Sequence, residues 1–155
     1  MTLAAGGPGS FGYKFLLLLH LVCVVVGFGP YFLNGLLPRA ATRASEEGAR
    51  VVNAATLQIS TISQFAIYGV FIFGGAMIGA SDKVWKFSQS WVPISIVLWV
   101  AAVGVLHGLV LPTQRKLRDG SGDRAALTNQ LSIGMGVLSL IVVVVMILMV
   151  WKPGT

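Results

Sequence analysis

Apolar residues dominate four long stretches, Phe15–Leu37, Leu57–Ala80, Trp91–Leu111 and Leu131–Trp151, and every Asp, Glu, Lys and Arg lies outside them. A helix crosses the hydrocarbon core of a bilayer in roughly 20 apolar residues, and each stretch is long enough. Lipid offers no partner to backbone N–H and C=O groups, so such a segment satisfies them internally as a helix. The pattern predicts an all-α polytopic membrane protein, an up-down bundle of four transmembrane helices over about residues 12–37, 48–80, 90–117 and 124–151. These helices occupy most of the chain, which leaves residues 1–155 as a single domain with no room for a separate soluble unit.

Local signals refine the helices. Pro30 has no N–H to give the carbonyl of Val26, which predicts a kink in helix one near Gly27-Phe28-Gly29-Pro30. Helix two is expected to begin ahead of the membrane, near Ser45, where Arg43 with Glu47 and Glu46 with Arg50 are spaced to pair on one helix face. Pro93 falls in the first turn of helix three, where a missing N–H costs little. The short second connection makes helices two and three antiparallel neighbours. Asp119-Gly120-Ser121-Gly122-Asp123 reads as a turn; a calcium loop needs a bidentate acid eleven positions after Asp119, and Gln130 stands there.

Composition agrees with the pattern. The chain of 155 residues is 55% hydrophobic and 10% charged, against about 25% charged in a soluble domain. Its net charge of +6 lies in the connections and not on a basic domain, so no nucleic-acid partner is expected. The first and third connections hold seven basic residues, Arg39, Arg43, Arg50, Arg115, Lys116, Arg118 and Arg124, and the other side holds four, Lys14, Lys83, Lys86 and Lys152. The positive-inside rule then puts both termini on the outer side of a bacterial plasma membrane. Tyr13, Trp85, Trp91 and Trp151 fall at that same outer interface as an aromatic belt. The first stretch is too long for a signal-peptide core and reads as a retained helix. The single cysteine, Cys23, has no partner for a disulfide within the chain.

Chemistry inside the membrane rests on few residues. Gln58, Ser60, Thr61, Ser63, Gln64 and Tyr68, with Asn53 and Thr56, concentrate polarity in one half of helix two and are expected to face the bundle interior or a wet crevice. Small residues four apart, Gly75 with Gly79, Gly104 with Gly108 and Ser132 with Gly136, are expected to let helices approach closely, within the bundle or between protomers. No membrane-embedded carboxylate is present to serve as a proton relay. The two histidines, His20 and His107, are the intramembrane ionisable groups, and imidazole is the common axial ligand of haem iron. Helices one and three run in the same direction, with His20 near one face and His107 near the other. At the helical rise they differ in depth by roughly 15–20 Å, too far to share one iron, so they are treated as separate candidates, His20 before His107. No metal site is expected beyond this; His20 and Cys23 make a soft pair without a third ligand.

Tyr13-Lys14-Phe15-Leu16-Leu17-Leu18-Leu19-His20 with Gly27-Phe28-Gly29, the segment from Trp91 to His107 and the closing Met149-Val150-Trp151-Lys152-Pro153-Gly154 resemble an uncharacterised family of small bacterial four-helix predicted integral membrane proteins. More distantly, the chain is similar to the copper-resistance-D and membrane protoporphyrinogen-oxidase proteins. That resemblance implies a haem-binding role for a first-helix histidine such as His20, and His107 matches the oxidase branch's third-helix histidine. The branch's lysine early in helix three is missing here, where Val92, Pro93, Ile94, Ser95 and Ile96 follow Trp91.

The leading expectation is an accessory or structural subunit of a membrane assembly or homo-oligomer, in contact with the lipid bilayer and with itself or other membrane subunits, and without catalysis of its own. The alternative is a membrane protein that binds b-type haem, or handles metal, through His20. A second alternative is a small-solute transporter using the polar half of helix two. No cofactor follows from the residues alone, and haem b is the candidate that the resemblance adds.

Overall fold

The structure, a computed structural model, describes residues 7–34 and 43–154. The described residues contain four long helices, α1 (Phe11–Asn34), α2 (Glu46–Gly79), α3 (Trp91–Asp119) and α4 (Arg124–Trp151), and form an all-helical bundle. All four are long and apolar enough to cross a membrane, and large apolar side chains such as Val25, Phe65, Val97 and Leu140 face outward along them. The expected last residues of helix one, 35–37, and Arg39 lie outside the described residues. One end of the bundle carries Trp85, Trp91 and Trp151 and is called the tryptophan end; the opposite end, with Arg50, Arg115 and Arg118, is the arginine end.

Caps set the helix limits at the arginine end. Ser45 accepts from the Gly48 N–H at 3.2 Å, so α2 does begin where its sequence suggested. Gly120 ends α3 with a left-handed φ of 69°, which glycine adopts without strain. Asp123 then opens α4 by accepting from the Ala125 N–H at 2.9 Å. The expected i,i+4 pairs do not form: neither Arg43 with Glu47 nor Glu46 with Arg50 comes within ion-pair distance, and the pair seen at this end is Arg118 with Asp119, at 2.8 Å and exposed.

The α1–α2 contact is the closest in the bundle. Gly27 lies so near α2 that a methyl group there would stand 3.0 Å from the Ile67 N and Cγ1, and one on Gly69 would stand 2.7 Å from Cys23 Sγ. Pro30 lies inside α1. The Val26 carbonyl that it leaves without an N–H accepts instead from the Ser63 hydroxyl, at 3.1 Å. A defect in one helix is thereby answered by a side chain of the next, as intramembrane prolines require.

Helix α3 is not regular. Leu106–Val110 forms a π turn, in which the Leu111 N–H reaches back five residues to the Leu106 carbonyl. The wide turn immediately precedes Pro112, whose ring would press on the carbonyl of Gly108 in a regular α-helix. Beyond it, Leu111–Asp119 packs on α2, whereas Trp91–Val105 packs chiefly on α4 and touches α2 little. The bundle is closed at the arginine end and parted at the tryptophan end.

The glycine pairs singled out in the sequence do not bring helices of this chain together. Nothing lies within 4 Å of a methyl group built on Gly75, Gly79, Gly104, Gly108 or Gly136, and the Ser132 hydroxyl bonds its own helix at the Thr128 carbonyl. Close approach within the bundle falls instead to Gly27, Gly69, Gly74 and Gly134, whose spacing does not follow the four-residue rule. The within-bundle half of the expectation fails because a small-residue pair marks a smooth surface without saying which surface is used; contact between protomers is the other use expected of these pairs.

Candidate functional site

The parting of α2 from the first half of α3 opens a cavity of about 570 Å³ in the tryptophan half, walled by all four helices. Its lining is almost wholly apolar: Leu17, Val24, Phe28, Phe71, Ile141, Met146 and their neighbours. Pockets of about 300–1,000 Å³ with apolar walls and a few placed polar groups are the usual form of small-molecule sites. The polar groups here are few, and His20 is the one set deepest among the helices.

His20 is 5% exposed and its ring lines the cavity. Nδ1 lies 3.0 Å from the Val70 carbonyl oxygen, which only accepts, so in the neutral ring Nδ1 carries the hydrogen. Among the described residues no other group bonds the ring, and Nε2 is left with its lone pair. Gly74 makes the arrangement possible, because a methyl group there would stand 3.1 Å from His20 Cε1. An imidazole whose Nδ1–H is tied to a backbone carbonyl has its orientation and tautomer set for ligation through Nε2.

The tryptophan end roofs the cavity. Trp85 donates through Nε1 to the Tyr13 hydroxyl at 3.1 Å and meets Trp91 edge to face at 6.0 Å between ring centroids. The Lys152 ammonium stands 3.6 Å from the centroid of the Trp85 ring, and burial lowers its pKa from the ordinary value. Trp99, deeper in the wall, donates to the Ile67 carbonyl at 2.9 Å and stacks on Phe71 at 4.6 Å. Three of the four residues expected as an interfacial belt thus form a packed cluster that ends the cavity, while Trp151 is 77% exposed.

The polar cluster of α2 does not behave as a unit. Asn53, Thr56, Ser60 and Ser63 are buried. Asn53 donates to the Leu117 carbonyl at 3.3 Å and Ser60 accepts from Gln114 Nε2 at 2.9 Å, so both tie α2 to the end of α3. The Tyr31 hydroxyl and Gln114 Oε1, also buried, meet no hydrogen-bond partner within bonding distance among the described residues. Gln58 and Thr61, expected to face inward, are exposed, and Thr61 bonds the Leu57 carbonyl of its own helix. Gln64 is half-buried. Clustering along a sequence spans more than one helix face at 3.6 residues per turn, which is why this group divides.

His107 is placed apart from His20. It sits exposed on the π turn of α3, with Nε2 2.6 Å from the Tyr68 hydroxyl and the two rings stacked. It does not line the cavity. Both histidines bond α2, but His20 does so from inside the bundle and His107 from the side that faces lipid. The two rings therefore stand in different surroundings, one on the cavity wall and one on the outer side of the bundle.

The arrangement of His20 can hold a ligand that brings an electrophile or a hydrogen-bond donor to Nε2 and apolar surface to the walls. The chain matches no family model, no curated protein and no solved structure. Its chemistry is therefore argued from this geometry. Among the described residues no group of three or more His, Cys, Asp or Glu gathers around a point, the set that a metal held only by those side chains would need. A porphyrin is different, because it brings four ligands of its own and asks the protein for one or two axial groups. The free Nε2 of His20 fits that demand, and Met146 and Met149 of α4 line the same cavity.

His20 is visible in the sequence, but what holds its ring is not. The carbonyl of Val70 and the gap at Gly74 leave no residue-type signature. The cavity follows from the parting of the first half of α3 from α2, which no residue-type pattern marks.

Proposed function

We propose that the protein is a membrane-embedded binder of a large, flat, apolar ligand, and that haem b held by His20 is the ligand which its residues fit best. The observation that carries this is the His20 ring, tied at Nδ1 to Val70, with Nε2 free on the wall of an apolar cavity of about 570 Å³. His20 would hold the haem through Nε2, with Met146 and Met149 on the wall of the same cavity and Tyr13, Trp85 and Trp91 at its end. Bound there, haem supplies one-electron chemistry; this chain contributes position, tautomer and a dry surround. The excess of arginine at the far end supports a bacterial plasma membrane with the tryptophan end outward.

The test is an absorption spectrum of protein purified from haem-replete cells, with hemin titration of any unloaded fraction. The expected result is a Soret band that His20→Ala removes and His107→Ala leaves. A protein that neither carries haem nor takes it up, or a band unchanged in His20→Ala, overturns the reading.

A second reading, that of a self-associating accessory subunit, has its own observation. His107 and Thr61 face lipid, and Gly104 and Gly108 flank His107 with open space around them. A second copy or another membrane subunit laid on this face would cover His107 Nδ1, which bonds no described residue and which hydrocarbon leaves unsatisfied. A monomer in mild detergent that co-purifies with nothing ends this reading.

A further inference from the structure

The arginine end carries a second concavity, about 200 Å³, between the start of α2, the end of α3 and the start of α4. Arg50, Lys116 and Arg124, one from each of these helices, line it, and the one carboxylate among the lining residues is Glu46. The Arg50 and Lys116 side chains form no hydrogen bond or ion pair with any described residue, and Glu46, four positions before Arg50, does not pair with it. The Lys116 main chain is fixed, because its carbonyl accepts from the Gly120 and Ser121 N–H groups. Below, Asn53 ties α2 to the Leu117 carbonyl, so the floor is rigid. The rim is Gly120-Ser121-Gly122, which sets little side-chain bulk in the way.

The depth of this concavity decides what meets it. α2 has 34 residues and is about 50 Å long, against a hydrocarbon core of about 30 Å. With Gly79 at one membrane face, its first turns, including Arg50, stand at the level of the opposite headgroups. Two cations that no described carboxylate pairs, lining a concave surface at that level from different helices, are suited to one phosphate. The geometry points to a binding site for the phosphodiester of an anionic lipid headgroup, held by Arg50 and Lys116 with Arg124 beside them. A free phosphate offers the same chemistry from solution. The lipid is the favoured occupant because the site adjoins the membrane surface. The site clamps the ends of α2, α3 and α4 and is independent of the cavity at His20.

The purified full chain in detergent is titrated with phosphatidylglycerol, with phosphatidylcholine and with inorganic phosphate, and bound lipid is counted by native mass spectrometry. Phosphatidylglycerol is expected to bind at least about tenfold more tightly than phosphatidylcholine. Arg50→Gln with Lys116→Gln removes that preference, whereas Lys83→Gln with Lys86→Gln, at the other end, leaves it. Glu46→Gln strengthens it. The thermal unfolding of each variant shows that it is folded. Displacement of phosphatidylglycerol by millimolar phosphate supports the site with a free anion as an occupant; no displacement supports the lipid. Equal binding of the two lipids, or a preference that survives in the Arg50/Lys116 variant, overturns the proposal.

Discussion

The two halves of the bundle solve opposite problems with the same four helices. Near the arginine end, α2 and the last turns of α3 are packed tightly, and the buried polar side chains bond across helices: Asn53 to Leu117 and Gln114 to Ser60. Toward the tryptophan end, α3 leans away onto α4, the walls are apolar, and a cavity of about 570 Å³ remains. A buried polar residue therefore means different things in the two halves. In the packed half its groups are largely spent on the fold. In the open half His20 spends one nitrogen on the fold and keeps the other.

Glycine substitutions give the largest expected contrast. Gly27→Leu drives a side chain into the backbone of Ile67, 3.0 Å from where its Cβ would stand, and is expected to cost about 3 kcal/mol or to abolish folding. Gly75→Leu projects into the cavity. It should leave thermal unfolding in detergent little changed while blocking ligand uptake. Equal destabilisation by the two would mean that the cavity collapses in solution, and the contrast between the halves would be lost.

The next effect lies where the halves join. Ser63→Ala deprives the Val26 carbonyl of the donor that replaces the missing N–H of Pro30. Leaving a buried carbonyl unpaired costs about 1–3 kcal/mol. Pro30→Ala restores an N–H at that position, so the double variant should recover most of the loss. A double-mutant cycle on SDS unfolding measures the coupling; strictly additive effects would show that the Ser63 hydroxyl does not stand in for the lost bond.

How much of this could be read beforehand divides along the same line. The four helices, their membrane character and the cap at Ser45 were legible, because hydrophobic length and capping chemistry are local. His20 and His107 were legible as the ionisable groups inside the apolar stretches. What stayed hidden was relational. The sequence showed that Val26 lacked a donor but not that Ser63, 37 positions on, would supply it. It showed regularly spaced glycines, which turned out to face open space, and gave no sign that Gly74 makes room for an imidazole. The split of the polar cluster, with Ser60 buried and Gln58 exposed, depends on which face α2 turns inward, and neighbours decide that.

Smaller effects separate a ligand-bearing histidine from a structural one. His20→Leu removes an interhelical bond worth about 0.6 kcal/mol in a membrane protein and replaces the ring by an apolar group of similar reach, so the ligand-free protein should unfold nearly as before. Its ligand binding should be lost altogether. A large loss of stability in the ligand-free variant would assign His20 to packing instead.

Tyr68→Phe is the mildest change and the most discriminating for the lipid-facing side. It deletes the hydroxyl 2.6 Å from His107 Nε2 while keeping the stacked rings. In a monomer surrounded by detergent the cost should not exceed about 0.6 kcal/mol, and haem binding at His20 should be untouched, since neither residue lines the cavity. If the face around Gly104 and Gly108 is covered by a second copy, the freed His107 nitrogen is trapped in an interface, and the loss appears as a shift toward monomer. An unchanged oligomeric state and a small change in unfolding together would show that the Tyr68–His107 pair serves its own helix pair and nothing beyond it.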